Sequence, residues 1–356
     1  MRNFFAFCQK KGVRPSFKTY FIDAMSAMAL GLFASLLMST ILNTLGDFVF
    51  KGQTSDFLHT IAAYASGASG MAIGCAVAGA LKAPPLVLAT CAVVGSIGYS
   101  LPTAFVIDGA DKMLTAGPAG AFLAVLVACE IGKLVCKSTK VDILVTPTVV
   151  LLTGYGISAL LCPGISYVMY YLGRFINYAT EMQPILMGVI IAVVVGIILT
   201  LPISSAAICA MIGITGIAGG AAAAGCCAQM VGFAVISFRE NKVGGLVAQG
   251  LGTSMLQMGN ICRNPRIWIP PTLAAAITGP LATTVFKLKC TGVSAGMGTC
   301  GLVGPIGIFS ASGTGTMTIV GVLAICVVLP AILSLIFSEI MRKMGWIREG
   351  DMKLEV

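Results

Sequence analysis

Long apolar runs separated by short polar breaks fill the chain. Spanning the hydrocarbon of a bilayer as a helix takes about 20 apolar residues. The runs at 22–46, 58–81, 84–107, 116–136, 143–161, 184–203, 208–237, 245–262, 267–286 and 315–341 approach or exceed that length. They predict an all-α, polytopic membrane protein of about ten transmembrane helices. Two further stretches, 163–180 and 300–313, are apolar but interrupted by Gly, Pro or polar residues, the pattern of re-entrant hairpins, surface helices or extra spans. The pattern divides the chain into a basic amino terminus at 1–20, a membrane domain at 21–341 and a tail at 342–356.

Laid over one another at a spacing of 187 residues, the two halves, about 21–162 and 204–341, show a two-fold internal repeat. Gly117-Pro118-Ala119-Gly120-Ala121-Phe122 falls on Gly304-Pro305-Ile306-Gly307-Ile308-Phe309, and Pro84-Pro85 falls within one residue of Pro270-Pro271. Gly/Pro interruptions at corresponding places in two halves point to a transport site built from broken helices. A helix broken at membrane depth frees backbone amides and carbonyls to bind a polar solute. Gly117, Pro118, Gly304 and Pro305 are therefore candidate substrate-site residues.

Composition agrees with a lipid environment: hydrophobic residues make up 57% and charged residues 10%, against roughly a quarter charged in soluble domains. The 43 glycines suit closely approaching helices. The 13 cysteines are scattered through apolar runs without a Cys-x-x-Cys pair, so they read as small hydrophobic residues rather than a disulfide framework or metal site. A net charge of +9 falls in the breaks between runs, where it signals topology and not nucleic-acid binding. Basic clusters at the amino terminus, at Lys133/Lys137/Lys140, Arg239/Lys242, Lys287/Lys289 and Arg342/Lys343/Arg348 predict that both termini face the cytoplasm. That arrangement requires 163–180 and 300–313 to cross and makes the halves inverted.

Few polar side chains stand within the runs. Glu130, with Lys133 one turn later, reads as a proton-linked or solute-binding carboxylate, or as an i,i+3 pair at a helix end. Gln257, Asn260 and Asn264 share one helical face if the segment is a helix, presenting amides to a polyol or bonding neighbouring helices. Asp108, with Asp111 across Gly109, guards an external mouth or forms a solvated turn. His59, the only histidine, lacks partners for a metal site. Gly296-x-Gly298-x-x-Gly301 matches a dinucleotide fingerprint without the strand or acidic partner that gives it meaning. No cofactor and no catalytic residue is expected.

With these residues in view the chain resembles the phosphotransferase system IIC-like membrane family that includes the perfringolysin regulator. Asn264-Pro265-Arg266-Ile267-Trp268-Ile269-Pro270-Pro271, the two Gly-Pro-x-Gly elements and Lys82-Ala83-Pro84-Pro85 with the Asp108-Gly109 loop carry the resemblance. It implies a homodimeric solute carrier in a bacterial cytoplasmic membrane, with lipid and a small polar solute, a sugar among the candidates, as partners. Phosphorylation of that solute would require separate phosphotransferase subunits. Gly213-Ile214-Thr215-Gly216 has Gly where the glucose-type carriers of the resembling system have Glu, so that sugar-binding carboxylate is not carried over. Two functions follow: transport by alternating access, or solute sensing and regulation without net transport.

Overall fold

The computed structural model describes residues 11–354 except Arg14, Pro15, Val49, Lys51, Asp108, Gly109, Glu181 and Thr291. It forms two compact units, one from residues 1–36 and 63–168, the other from 37–62 and 169–356. Among the described residues, five helices are long and apolar enough to cross a membrane: α1 (Lys18–Asp47), α5 (Gly117–Val135), α6 (Asp142–Thr180), α9 (Gly216–Ile236) and α15 (Thr316–Lys343). A sixth span forms if α2 (Gln53–Gly67) and α3 (Ser69–Ala80), bent by 52° at their junction, act as one. Shorter apolar helices are α4 (Pro85–Ser100) and α7 (Pro184–Thr200).

In the first unit α1, α3, α4 and α5 pack through glycine. A Cβ on Gly70 would stand 2.7 Å from Gly95 O, and one on Gly98 would stand 2.7 Å from Gly120 O. At Gly74 the added carbon would run into the Cys91 carbonyl. Lipid tails are as apolar as the side chains, so helix association rests on such close backbone contact. Helix α4 stops at Ser100 because Pro102 follows, and a residue before proline is driven out of the helical region. The chain continues as an antiparallel hairpin, β1 (Pro102–Ile107) with β2 (Ala110–Thr115), in register from Pro102↔Thr115 to Ile107↔Ala110. The expectation of a helix over 84–107 is corrected accordingly. Asp108, expected at an external mouth, lies outside the described residues.

Helix α6 corrects a second expectation, since 163–180 is not broken but continues 143–161 in one 39-residue helix with Pro147 and Pro163 inside it. Proline is tolerated in a membrane helix where neighbouring groups re-satisfy the freed carbonyl.

The second unit is organised around α9, in which Ala221 to Met230 are all buried. Around it lie α7, α12 (Ile269–Thr284) and α15. Gly225 leaves room for the Ala192 carbonyl of α7, and Gly279 of α12 for the Gly188 carbonyl. The expected span 208–237 is split into α8 (Ser205–Met211) and α9. Gly213 and Gly216 have positive φ, and Thr215 between them is extended. The expected span 245–262 is not one helix either. It comprises the end of α10 (Phe238–Val247), a π-turn at Ala248–Gly252, extended Thr253, a 3₁₀ turn at Ser254–Gln257 and α11 (Met258–Arg263). Thr253 starts the 3₁₀ turn, its hydroxyl accepting from Met255 N at 3.1 Å. Beyond α12 come the short α13 (Gly292–Ala295) and α14 (Val303–Ser312).

Candidate functional site

The two Pro-Pro pairs and the two Gly-Pro elements all lie at helix starts. Pro84-Pro85 opens α4 and Pro270-Pro271 opens α12, each helix 16 residues long. Gly117-Pro118 opens α5, with Gly117 at φ +57°, and Gly304-Pro305 lies in the first turn of α14, after Leu302 at φ +62°. Gly117, Pro118, Gly304 and Pro305 are all buried, and no side chain caps either helix.

Within the second unit the breaks satisfy one another. Cys290 N donates to Gly216 O at 3.1 Å and Gly292 N to Ile214 O at 2.8 Å, so the unwound stretch before α9 is paired with the one after α12. Ser205 Oγ donates to Gly296 O at 2.7 Å, and Gly304 N to Gly298 O at 2.8 Å. The glycines of the apparent dinucleotide fingerprint thus belong to this irregular backbone. Irregular backbone at membrane depth is stable only where protein or a water-lined cavity surrounds it.

Gln257, Asn260 and Asn264 come together, though not on one helical face. They grip the carboxyl-terminal tail. Asn260 Nδ2 donates to Gln257 Oε1 at 2.8 Å and to Lys353 O at 3.0 Å. Gln257 Nε2 donates to Met352 O at 3.0 Å, and Asn264 Nδ2 to Trp346 O at 3.0 Å and Asp351 Oδ2 at 2.7 Å. Sequence reasoning missed two further members of the network. Asn241 donates to Met352 O at 2.8 Å and accepts from Leu354 N at 2.8 Å, while buried Gln249 accepts from Gln257 at 2.9 Å. The Arg239/Lys242 charges drew attention away from Asn241, and Gln249 stands alone among apolar and glycine residues.

In the first unit Glu130 lines a cavity of about 480 Å³ together with Asp23, Lys133 and the Ala80–Lys82 turn. Lys133 Nζ donates to Glu130 Oε1 at 2.8 Å, and the lysine side chain is only 3% exposed. Glu130 Oε2 and Asp23 Oδ1 are buried with no hydrogen-bond partner. Beyond the end of α5, Lys11 Nζ donates to Cys136 O at 2.6 Å, and burial, then the Asp142 carboxylate, raise the Cys136 thiol above its ordinary value. His59 belongs to the other unit, its ring between Asn43 Oδ1 at 2.9 Å and Asp47 Oδ1 at 3.2 Å.

Apolar helices of spanning length, glycine-mediated packing and buried helix breaks define a membrane-embedded helical protein. Residues 22–354 match the family described as Phosphotransferase system, EIIC, and the chain belongs to that family. No curated protein and no solved structure matches it. Membership ties the chain to a solute and to the partners of a phosphotransferase system.

Proposed function

We propose that this chain carries a small polar solute, with sugars the first class to test, by alternating access around its interrupted helices. The observation that supports this most is the irregular backbone joined by Cys290 N to Gly216 O and Gly292 N to Ile214 O, together with two buried, uncapped helix starts at the Gly-Pro elements. Discontinuous helices in related halves are how many transporters form a midplane site. In this reading the halves are an internal repeat and the full set of spans is about ten, with shorter and broken helices completing it. Both termini face the cytoplasm, the membrane is the bacterial plasma membrane, and two copies of the chain associate. Any phosphoryl transfer is the work of separate subunits.

The test is uptake by purified protein in proteoliposomes across a panel of sugars and small metabolites. Saturable uptake of one solute, lost on Asn260→Ala or Asn264→Ala, is expected. No saturable uptake of any solute, by protein shown to be folded, would overturn the reading.

A further inference from the structure

We infer that the cavity at Asp23, Glu130 and Lys133 binds a dehydrated monovalent cation. Four oxygens at its lining residues lack donors. Two are the buried carboxylate atoms Asp23 Oδ1 and Glu130 Oε2. The others are the carbonyls of Ala80 and Leu81 at the end of α3. A continued helix would bond them to the N–H groups four residues on, but those residues are Pro84 and Pro85, which have none. The next two amides do not serve them either, since Lys82 N turns back to Gly79 O at 2.9 Å and Ala83 N to Ala78 O at 3.0 Å. These carbonyls also lie at the negative end of the α3 dipole.

Charge selects the ligand. The lining carries two carboxylates and one buried ammonium, that of Lys133, while Lys82 is exposed. One negative charge is left unmatched in a poorly solvated place, and such a charge is costly without a counter-ion. A single positive charge balances it. A second would be repelled by Lys133, 2.8 Å from Glu130 Oε1, so a divalent ion is disfavoured. An anion would meet both carboxylates. Hard monovalent cations take carboxylate and carbonyl oxygens as ligands. The binding inference stands apart from the transport reading; only a role for the ion in driving solute movement rests on that reading.

The experiment uses the full chain in lipid nanodiscs. Na⁺ and K⁺ are each titrated against choline at fixed pH and ionic strength, following the thermal unfolding midpoint and retention of radioactive Na⁺. Saturable stabilisation and retention that choline does not give are expected, with affinity falling about tenfold or more in Asp23→Asn and Glu130→Gln. Asp23 has no described partner, so its variant separates ion binding from loss of the Glu130–Lys133 pair. Coincident Na⁺, K⁺ and choline curves, or unchanged affinity in both variants, overturn the inference. Solute uptake that runs equally in choline would remove the driving role and leave transport intact. Cation binding without uptake of any solute would do the reverse.

Discussion

Asn260 holds two partners at once, the Gln257 amide oxygen and the Lys353 carbonyl, and both bonds run through its Nδ2. Asn260→Ala therefore orphans a tail carbonyl and a buried glutamine oxygen, at a cost of about 1–3 kcal/mol. The expected result is a lower unfolding midpoint and protease cleavage after Arg348 or Lys353, sites held in the intact chain by Asp351 and the amides. A residue that contacted only solute would lose uptake and leave tail cleavage unchanged, so the two measurements separate its roles. At Glu240 the situation is similar. Its Oε1 accepts from Arg342 and from Gly350 N, each at 3.3 Å, tying α10 to α15 and the tail. Glu240→Gln keeps the shape but removes the charge facing Arg342, and a destabilisation of about 1–3 kcal/mol is expected in a denaturant or thermal melt. The amides themselves were visible in the sequence. Their partners were not, because the tail at 346–354 lies some 80 to 110 residues away along the chain and no local pattern announces such pairing.

Helix α3 contains its own control for packing. Gly74 faces α4 backbone, with Ala92 Cα 3.0 Å from an added carbon, whereas Gly79 has nothing within 4 Å. Gly74→Ala forces two backbones apart and is expected to cost about 1–3 kcal/mol. Gly79→Ala fills open space in a helical residue and is expected to gain about 0.5–1 kcal/mol. Unfolding in mixed micelles with increasing denaturing detergent would measure both. Element boundaries were legible where lipid alone dictates them: the run 116–136 matches α5 to within one residue at each end, and the run 315–341 matches α15 to within two. They were not legible where backbone geometry decides. Asp108-Gly109, between Val106-Ile107 and Ala110, is a strong two-residue hairpin signal, yet the apolar residues before it read as the end of a span. Gly213 and Gly216 break an apolar run that hydropathy treats as continuous, and Pro163 leaves unbroken a helix that proline would end in water.

For the molecule as a whole, the distribution of Lys and Arg makes a prediction about sidedness. Reporter fusions after the tail are expected to be active only as cytoplasmic reporters, and a fusion in the loop near Gly52 only as an external one. Opposite results would reverse the orientation proposed for the chain. Helix α6 adds a constraint of a different kind. Its 39 residues measure about 58 Å at 1.5 Å per residue, nearly twice the ~30 Å hydrocarbon layer. Near its far end Tyr167, Tyr171, Phe175 and Tyr178 are exposed, and tyrosines settle at the headgroup level. A helix longer than the hydrocarbon leans further as the membrane thins and straightens as it thickens, so the tilt of α6 is expected to follow the acyl-chain length of the lipids around it.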